Sequence, residues 1–359
     1  MKRHGDLYHK IIDKETLNKA TLCAQQGKKH YSGVQEVNNR KVYYINELQN
    51  RLKNKTYRTS KYDIFTKKDS GKERIIYKLP FFPDRIAQWA ILLIIEPLLK
   101  NKLILDTYSA IPNRGIHFGV QRINRFLKDE ENTKYCLKLD IKKYYPSINH
   151  DILKQTYRGI IKDPNLLWLL EEIIDSTNWD KTPYSYETIP ILKENVGIPI
   201  GNYLSQWSGN IYLHKFGHWL KEKLKLKYVM IYMDDIVIFN KSKIELKGVL
   251  NKIKTYLTKN LELTVKDNWQ IFPTKVRGVD FLGYRFFGEY ILLRKSITKR
   301  FKNKMRKISK KKFISEHDYT SINSYLGWLK WCNSYNLKKK YIQPLKEKIK
   351  FYERVNNIC

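Results

Sequence analysis

The feature that most constrains this chain is Tyr232-Met233-Asp234-Asp235, which sets two aspartates between two apolar, β-prone runs, Val229-Met230-Ile231 and Ile236-Val237-Ile238-Phe239. Adjacent carboxylates inside a buried strand would have neither water nor counter-charge, so they are tolerable only in a turn. Lys227 to Phe239 therefore reads as strand, turn, strand, with the acids at the bend. Two hard oxygen ligands placed together suit Mg²⁺, which takes few carboxylates and completes its shell with water and substrate phosphate. The plainer alternative is a tight turn whose aspartates only cap the backbone.

A second acid is available. Asp140 lies near the end of an apolar run, Tyr135 to Ile141, that reads as a central strand. If the two units are neighbours in one sheet, Asp140, Asp234 and Asp235 converge. Three carboxylates can then clamp two Mg²⁺ ions, one lowering the pKa of an attacking hydroxyl and the other stabilising a leaving pyrophosphate. The backbone carbonyl of Ile141 offers a further oxygen, and Mn²⁺ can substitute at such a hard-ligand site.

Charge points toward the same chemistry. Lysine and arginine number 69 against 35 acids, a formal net charge of +34 over 359 residues. The hydrophobic share of 42% excludes wholesale disorder. A compact chain with that excess repels itself, so a polyanionic partner is expected, nucleic acid first and an acidic membrane surface as the rival. The membrane reading is weak. The strongest apolar run, Trp89 to Ile95, falls well short of the roughly 18 to 20 residues a spanning helix needs. Met1 to Glu15 has no apolar core of signal-peptide type. No export and no anchor are expected, and the location expected is cytoplasmic. Cys23, Cys136, Cys332 and Cys359 form no close pairs, so neither a disulfide framework nor a zinc knuckle is signalled. His214 and His218 stand four apart, but the stretch lacks the glutamate of a zinc-protease helix.

Along the chain, the first fifty residues read as helical. Ser60 to Leu79 reads as a hairpin turning at Lys68 to Gly71. A helix over Arg85 to Leu99 is expected with Asp84 as its cap, and another over Gly119 to Lys128 after the Asn113-Arg114-Gly115 loop. Helices follow at His150 to Tyr157 and at Leu166 to Ile174, the latter capped by Asp163 with Pro164 at its first position. Asn178 to Asn195 is a long polar loop, and Gly201 to Leu220 a helix. Next come a helix at Leu246 to Thr258, a strand at Leu261 to Val265 and a hairpin-like Val279 to Leu293. Composition then shifts: nine of the fourteen residues from Lys299 to Lys312 are basic, and a helical tail, Ser321 to Tyr352, carries Trp328 and Trp331.

With these residues in hand, the chain resembles a reverse transcriptase. The first motif is Leu139-Asp140-Ile141-Lys142-Lys143-Tyr144-Tyr145-Pro146-Ser147-Ile148, and Tyr232 to Asp235 is the third. Between them lies Gly197 to Gln206, and Val279-Asp280-Phe281-Leu282-Gly283-Tyr284 looks like the palm-to-thumb motif of bacterial members. The resemblance implies an α+β right-hand polymerase fold. Its expected parts are N-terminal helices and fingers at 1–134, palm at 135–158, a fingers–palm connection at 159–200, palm again at 201–293 and a basic helical thumb at 294–359. Most bacterial members carry proline–glutamine–glycine, then serine–proline, around the middle motif. Here stand Pro199-Ile200-Gly201 and Ser205-Gln206, which is similar to diversity-generating retroelement enzymes. Ile160 to Trp168 and Ile271 to Thr274 look like that subfamily too.

That resemblance implies an RNA-directed DNA polymerase, bacterial or phage-encoded, making error-prone, adenine-directed cDNA from a template-repeat RNA to diversify a variable-repeat gene. Its implied partners are that RNA, cDNA and the RNA–DNA hybrid, deoxynucleoside triphosphates and a small pentameric accessory protein. By the same resemblance Asp140, Asp234 and Asp235 are catalytic and, with Ile141, hold metal. Tyr145 matches the position that stacks under the incoming sugar and rejects a 2′-hydroxyl; otherwise it is a core aromatic beside Pro146. Lys72 and Arg74, and less directly Arg114, reach the triphosphate, unless they are solvated charges. Ile200, Gly201, Ser205 and Gln206 lie beside the nascent pair, with Ile200 replacing a hydrogen-bonding glutamine. Lys266 is the nearest candidate to protonate pyrophosphate. Lys299, Arg300, Lys302, Lys304, Arg306 and Lys307 grip the duplex backbone, with Trp328 and Trp331 either on its minor groove or in the thumb core. A retron or group II intron type reverse transcriptase, and an idle RNA-binding protein with a polymerase fold, are the alternatives.

Overall fold

A computed structural model describes residues 3–69, 72–177 and 194–356. Its strands are β1 (Asp63–Asp69), β2 (Lys72–Lys78), β3 (Thr107–Tyr108), β4 (Tyr135–Asp140), β5 (Tyr228–Tyr232), β6 (Asp235–Asn240), β7 (Gln270–Pro273), β8 (Val279–Phe281), β9 (Tyr284–Phe286) and β10 (Ile291–Leu293). Five of them form the central sheet in the order β3-β5-β6-β4-β7, antiparallel except for β3 beside β5. The chain thus mixes helix and sheet in the α+β manner.

The central strands are continuous apolar runs because both faces of the sheet are covered. Leu137, Leu139, Val229, Ile231, Ile236 and Ile238 point into one core. Helix Lys243–Leu261 covers that side with Leu246, Leu250, Ile253, Leu257 and Leu261, spaced three to four apart. Cys136, Tyr228, Met230, Val237 and Phe239 point into a second core. It contains Val120 and Ile123 of helix Ile116–Leu127 and extends into the β8–β10 sheet and the C-terminal helices. The N-terminal helices pack on the first side around helix Ile86–Lys100.

Beyond the sheet, helix Lys295–Ser309 buries Ile297, Phe301, Met305 and Ile308 on one stripe, which leaves much of its basic content outward. Among the described residues no helix is long and apolar enough to cross a membrane. Cys23, Cys136 and Cys332 are free thiols.

Three expectations need correction. Asp84 does not cap the following helix, which has no side-chain cap. It is fully buried, accepting from the Tyr57 hydroxyl at 2.8 Å and the Ser60 amide at 3.1 Å. The strand at Leu261 to Val265 reduces to a single bridge, Ile141 to Val265, because the preceding helix runs on to Leu261. The helix expected over Gly201 to Leu220 begins at Tyr203, breaks after Tyr212 and resumes as His214–His218 and the wider turn Trp219–Lys223; Gly201 has φ +129°, which a helix cannot use. The Asp163 cap and Pro164 start are present as expected. The loop expected at Asn178 to Asn195 lies, as far as residue 193, outside the described residues, as does the turn at Ser70 and Gly71.

Candidate active site

The β5–β6 hairpin closes through a two-residue turn, since Tyr232 pairs directly with Asp235. Met233 takes a left-handed φ of +54° there, a strained choice for a residue with a side chain. The turn's Asp234 carbonyl accepts the Ile141 amide at 3.1 Å, which fastens it to the end of β4. On β4, Asp140 lies directly opposite Asp235 in register, so their side chains share a face. Sheet pairing alone therefore brings residues 95 positions apart together.

The carboxylates lie close enough to feel one another's charge and are partly shielded from water. Burial first, then the negative charge of Asp140 and a hydrogen bond to it, pushes the Asp234 carboxyl up from 3.8 to about 6. Burial also raises Asp235, with the Lys138 ammonium pulling the other way. One oxygen of Asp140 and one of Asp235 are buried without a hydrogen-bond partner. The remaining oxygens meet cations: Lys266 Nζ stands 2.7 Å from Asp140 Oδ2, and Lys138 Nζ 3.4 Å from Asp235 Oδ2. Asp234 thus feels the charge of Asp140, while Asp235 is paired with Lys138. Among the described residues no three His, Cys, Asp or Glu side chains are gathered tightly enough to hold an ion by themselves. Mg²⁺ does not require that, because one or two carboxylates with water and phosphate suffice.

Tyr145 opens the short turn Tyr145–Ser147 and is partly buried beside the acids. Its hydroxyl lies 3.5 Å from Met233 Sδ, and its ring borders Gly209, where an added Cβ would stand 3.6 Å from the ring. Tyr144 turns inward, its hydroxyl donating to the Gly209 carbonyl at 2.5 Å. The Tyr145 carbonyl accepts the Ile198 amide at 3.0 Å, tying the motif to the segment that leads to Ile200. That segment also meets the β1–β2 hairpin: the Tyr77 amide donates to the Ile200 carbonyl at 3.0 Å. At Gly201 a Cβ would sit 2.5 Å from the Tyr77 carbonyl oxygen, so only glycine allows this approach. Ser205 is buried and Gln206 exposed on the following helix.

The other sequence-selected residues are dispersed. Arg74 is exposed on β2, and Lys72 is placed by its backbone alone, opposite Asp69. Arg114 donates to the Ile104 carbonyl at 3.2 Å. On helix Lys295–Ser309, Lys299, Arg300, Arg306 and Lys307 are exposed and Lys302 is partly so. Lys304 is engaged by buried Asp318 at 3.2 Å. The Trp328 ring covers Gly283, where a Cβ would stand 2.5 Å from it, and Trp331 stacks on His117 with ring centroids 5.0 Å apart. Sequence reasoning missed Lys138, which alternation in β4 puts on the face of Asp140. It also missed Gly209 beneath Tyr145. Lys138 carried a signal, a lone cation inside an apolar strand two residues before the acid.

Residues 65–286 match the family model described as reverse transcriptase (RNA-dependent DNA polymerase). The chain is similar to Protein YkfC of Escherichia coli K12, 23% identical over 216 residues that cover 58% of this chain and 49% of that protein. It is similar to the Retron Ec73 reverse transcriptase of E. coli, 24% over 304 residues, 80% of this chain and 88% of that one. The group II intron-encoded protein LtrA of Lactococcus lactis is 26% identical over 162 residues, 45% of this chain and 25% of LtrA. The chain therefore spans about half or less of several relatives it matches. Among solved structures, telomerase from Candida albicans in complex with a fragment of telomeric RNA aligns at a TM-score of 0.50 and 11% identity, over 82% of this chain and 56% of that one. That likeness is one of fold.

Proposed function

The chain belongs to the reverse transcriptase (RNA-dependent DNA polymerase) family, and from that premise we propose that it copies RNA into DNA by metal-assisted nucleotidyl transfer at Asp140, Asp234 and Asp235. The observation that carries this is the register pairing of Asp140 with Asp235 at a sheet end to which the Asp234 turn is fastened through the Ile141 amide, and where one oxygen of Asp140 and one of Asp235 lack partners. Excess, repelling, desolvated carboxylate is the environment a divalent cation relieves. Asp140 and Asp234, with the Ile141 carbonyl and Asp235 beside them, would hold Mg²⁺ or Mn²⁺. When bound, such ions lower the pKa of a primer hydroxyl and neutralise charge on the leaving pyrophosphate.

The chain's own residues supply position and selection. Tyr145 presents its ring beside the acids, and its bulk excludes a 2′-hydroxyl from the incoming sugar. Gly201 lets backbone approach the nascent base pair. Lys266 holds a positive charge at Asp140, within reach of departing phosphate. Arg74, with Lys72 and Arg114, offers charge to the triphosphate. The outward cations of helix Lys295–Ser309 neutralise duplex phosphates without reading sequence, so that segment serves as a thumb.

Within the family, the Gly201 and Ser205-Gln206 spacing and Ile200 favour the diversity-generating type, with a template-repeat RNA, adenine-directed errors and a small accessory protein. Ile200 cannot donate the hydrogen bond a glutamine would, and a lost polar contact of about 1 to 3 kcal/mol relaxes discrimination roughly ten- to a hundred-fold. The alignment spanning 88% of the Retron Ec73 enzyme favours a retron-type reading instead. Extension of a DNA primer on the flanking RNA with Mg²⁺, followed by cDNA sequencing, tests both levels. Errors clustered at template adenines and reduced by Ile200→Gln support the first type; faithful cDNA supports the second. No incorporation, with partner RNA and protein supplied, contradicts the polymerase reading.

A further inference from the structure

The charge network at Asp235 does not stop at the catalytic turn. Lys138 faces the same side of β4 as Asp140 and reaches diagonally across to β6. Its single ammonium serves two acceptors, Asp235 Oδ2 at 3.4 Å and the backbone carbonyl of Asp280 in β8. The Asp280 carboxylate in turn accepts from Arg294 Nε at 2.6 Å and is paired with its Nη2 at 2.5 Å. Arg294 immediately precedes the basic helix Lys295–Ser309, and its amide donates to the Gly283 carbonyl at 2.9 Å. Gly283 is clamped under Trp328, whose carbonyl accepts the Tyr284 hydroxyl at 2.9 Å.

We propose that Lys138, Asp280 and Arg294 form a relay that couples the seating of helix Lys295–Ser309 to the carboxylate of Asp235. Lys138 is thereby a positioning residue. The physical reason is that one ammonium cannot follow two acceptors that move apart. When the root of the basic helix shifts, β8 moves with Arg294, and the Lys138 charge is drawn from Asp235. A half-buried carboxylate with one oxygen already unpartnered is disfavoured further when it loses its counter-charge, so the turn and the helix root prefer to be correct together. A duplex gripped by the helix would then hold the catalytic turn in order, and an empty helix would not. The inference rests on the polymerase reading above.

The test is a mutant cycle on the full chain with a fluorescent DNA primer annealed to RNA. Duplex dissociation is read without nucleotide or metal, and product length is read with Mg²⁺ and a trap that permits one encounter. Arg294→Gln is expected to speed dissociation and shorten products several-fold while first-nucleotide addition stays within about twofold. Lys138→Met is expected to shorten products similarly and also to slow first addition. Because both act on one relay, the double variant falls short of the product of the two effects by about threefold or more. Lys138→Arg restores product length to within about twofold. If Lys138→Met fails to fold, Lys138→Gln, which keeps a donor for the Asp280 carbonyl, enters the same cycle. Multiplicative effects, or unchanged dissociation and product length in the Lys138 variant, overturn the relay. A wild-type chain that extends nothing overturns the polymerase reading and the relay with it; an active wild type with multiplicative variants overturns the relay alone.

Discussion

Asp234→Asn should stabilise the metal-free protein while removing its activity. In the folded chain this carboxyl is raised from 3.8 to about 6 by burial and by Asp140. The sign follows from proton linkage. A carboxyl that binds its proton more tightly when folded costs stability as pH rises from the unfolded value toward the folded one, and the full penalty applies above about 6. At about 1.4 kcal/mol per tenfold in proton affinity, the upper bound is about 3 kcal/mol; relaxation and water entry reduce it to about 1 to 2. Asparagine keeps the shape and removes the charge. Thermal unfolding in a chelator at pH 7.5 should therefore show the variant melting higher by about 1 to 3 °C. Lowering the pH to 4.5 should shrink the gap to about a third. Saturating Mg²⁺ should raise the wild type and close the gap from the other side. A variant that melts at or below wild type at pH 7.5, or a gap indifferent to acid, refutes the electrostatic reasoning.

Other substitutions probe the supporting parts. Gly201→Ala should cost about 2 to 4 kcal/mol, from backbone strain and displacement of the Tyr77–Ile200 hydrogen bond; melting temperature and nucleotide KM read it, and an unchanged KM would detach this loop from the nucleotide. Tyr145→Ala should admit ribonucleotides by at least about tenfold relative to wild type, measured as the ratio of ribo- to deoxynucleotide incorporation. Asp318→Ala removes a buried carboxylate that completes the capping box of helix Glu316–Leu329 with the N-cap Ser315 and pairs with Lys304 and Lys311; it should lower stability by about 1 to 2 kcal/mol, visible as a lower melting temperature with first-nucleotide addition intact.

Much of the architecture was readable because its causes are local. β4, β5 and β6 declare themselves as apolar runs since both faces of the sheet are covered. The Asp163 cap uses amides only two and three residues away. What stayed hidden depends on distant partners. Asp84 looks like a helix cap until Tyr57, 27 residues earlier, claims it. Leu261, Leu263 and Val265 alternate like a strand, yet Leu257 and Leu261 continue a helical stripe that the tertiary core uses. The acids were legible as a turn and a strand end; that Asp140 and Asp235 would be exact register partners was not, because only sheet order decides it. Lys138 stands out as a lone cation in an apolar strand, but its second acceptor, Asp280, lies 142 residues away and is brought to it only by the fold.

In the proposed reaction Asp140 and Asp234 act as one cation-dependent catalytic pair. The most direct measurement of this is single-nucleotide addition to a DNA primer on RNA in Mg²⁺, comparing wild type with Asp140→Asn while primer–template affinity is recorded in parallel. Addition by the wild type is expected, with loss of at least about a thousandfold in the variant and affinity within about threefold. Addition that survives in Asp140→Asn, or that proceeds in wild type without a divalent cation, would contradict that pairing.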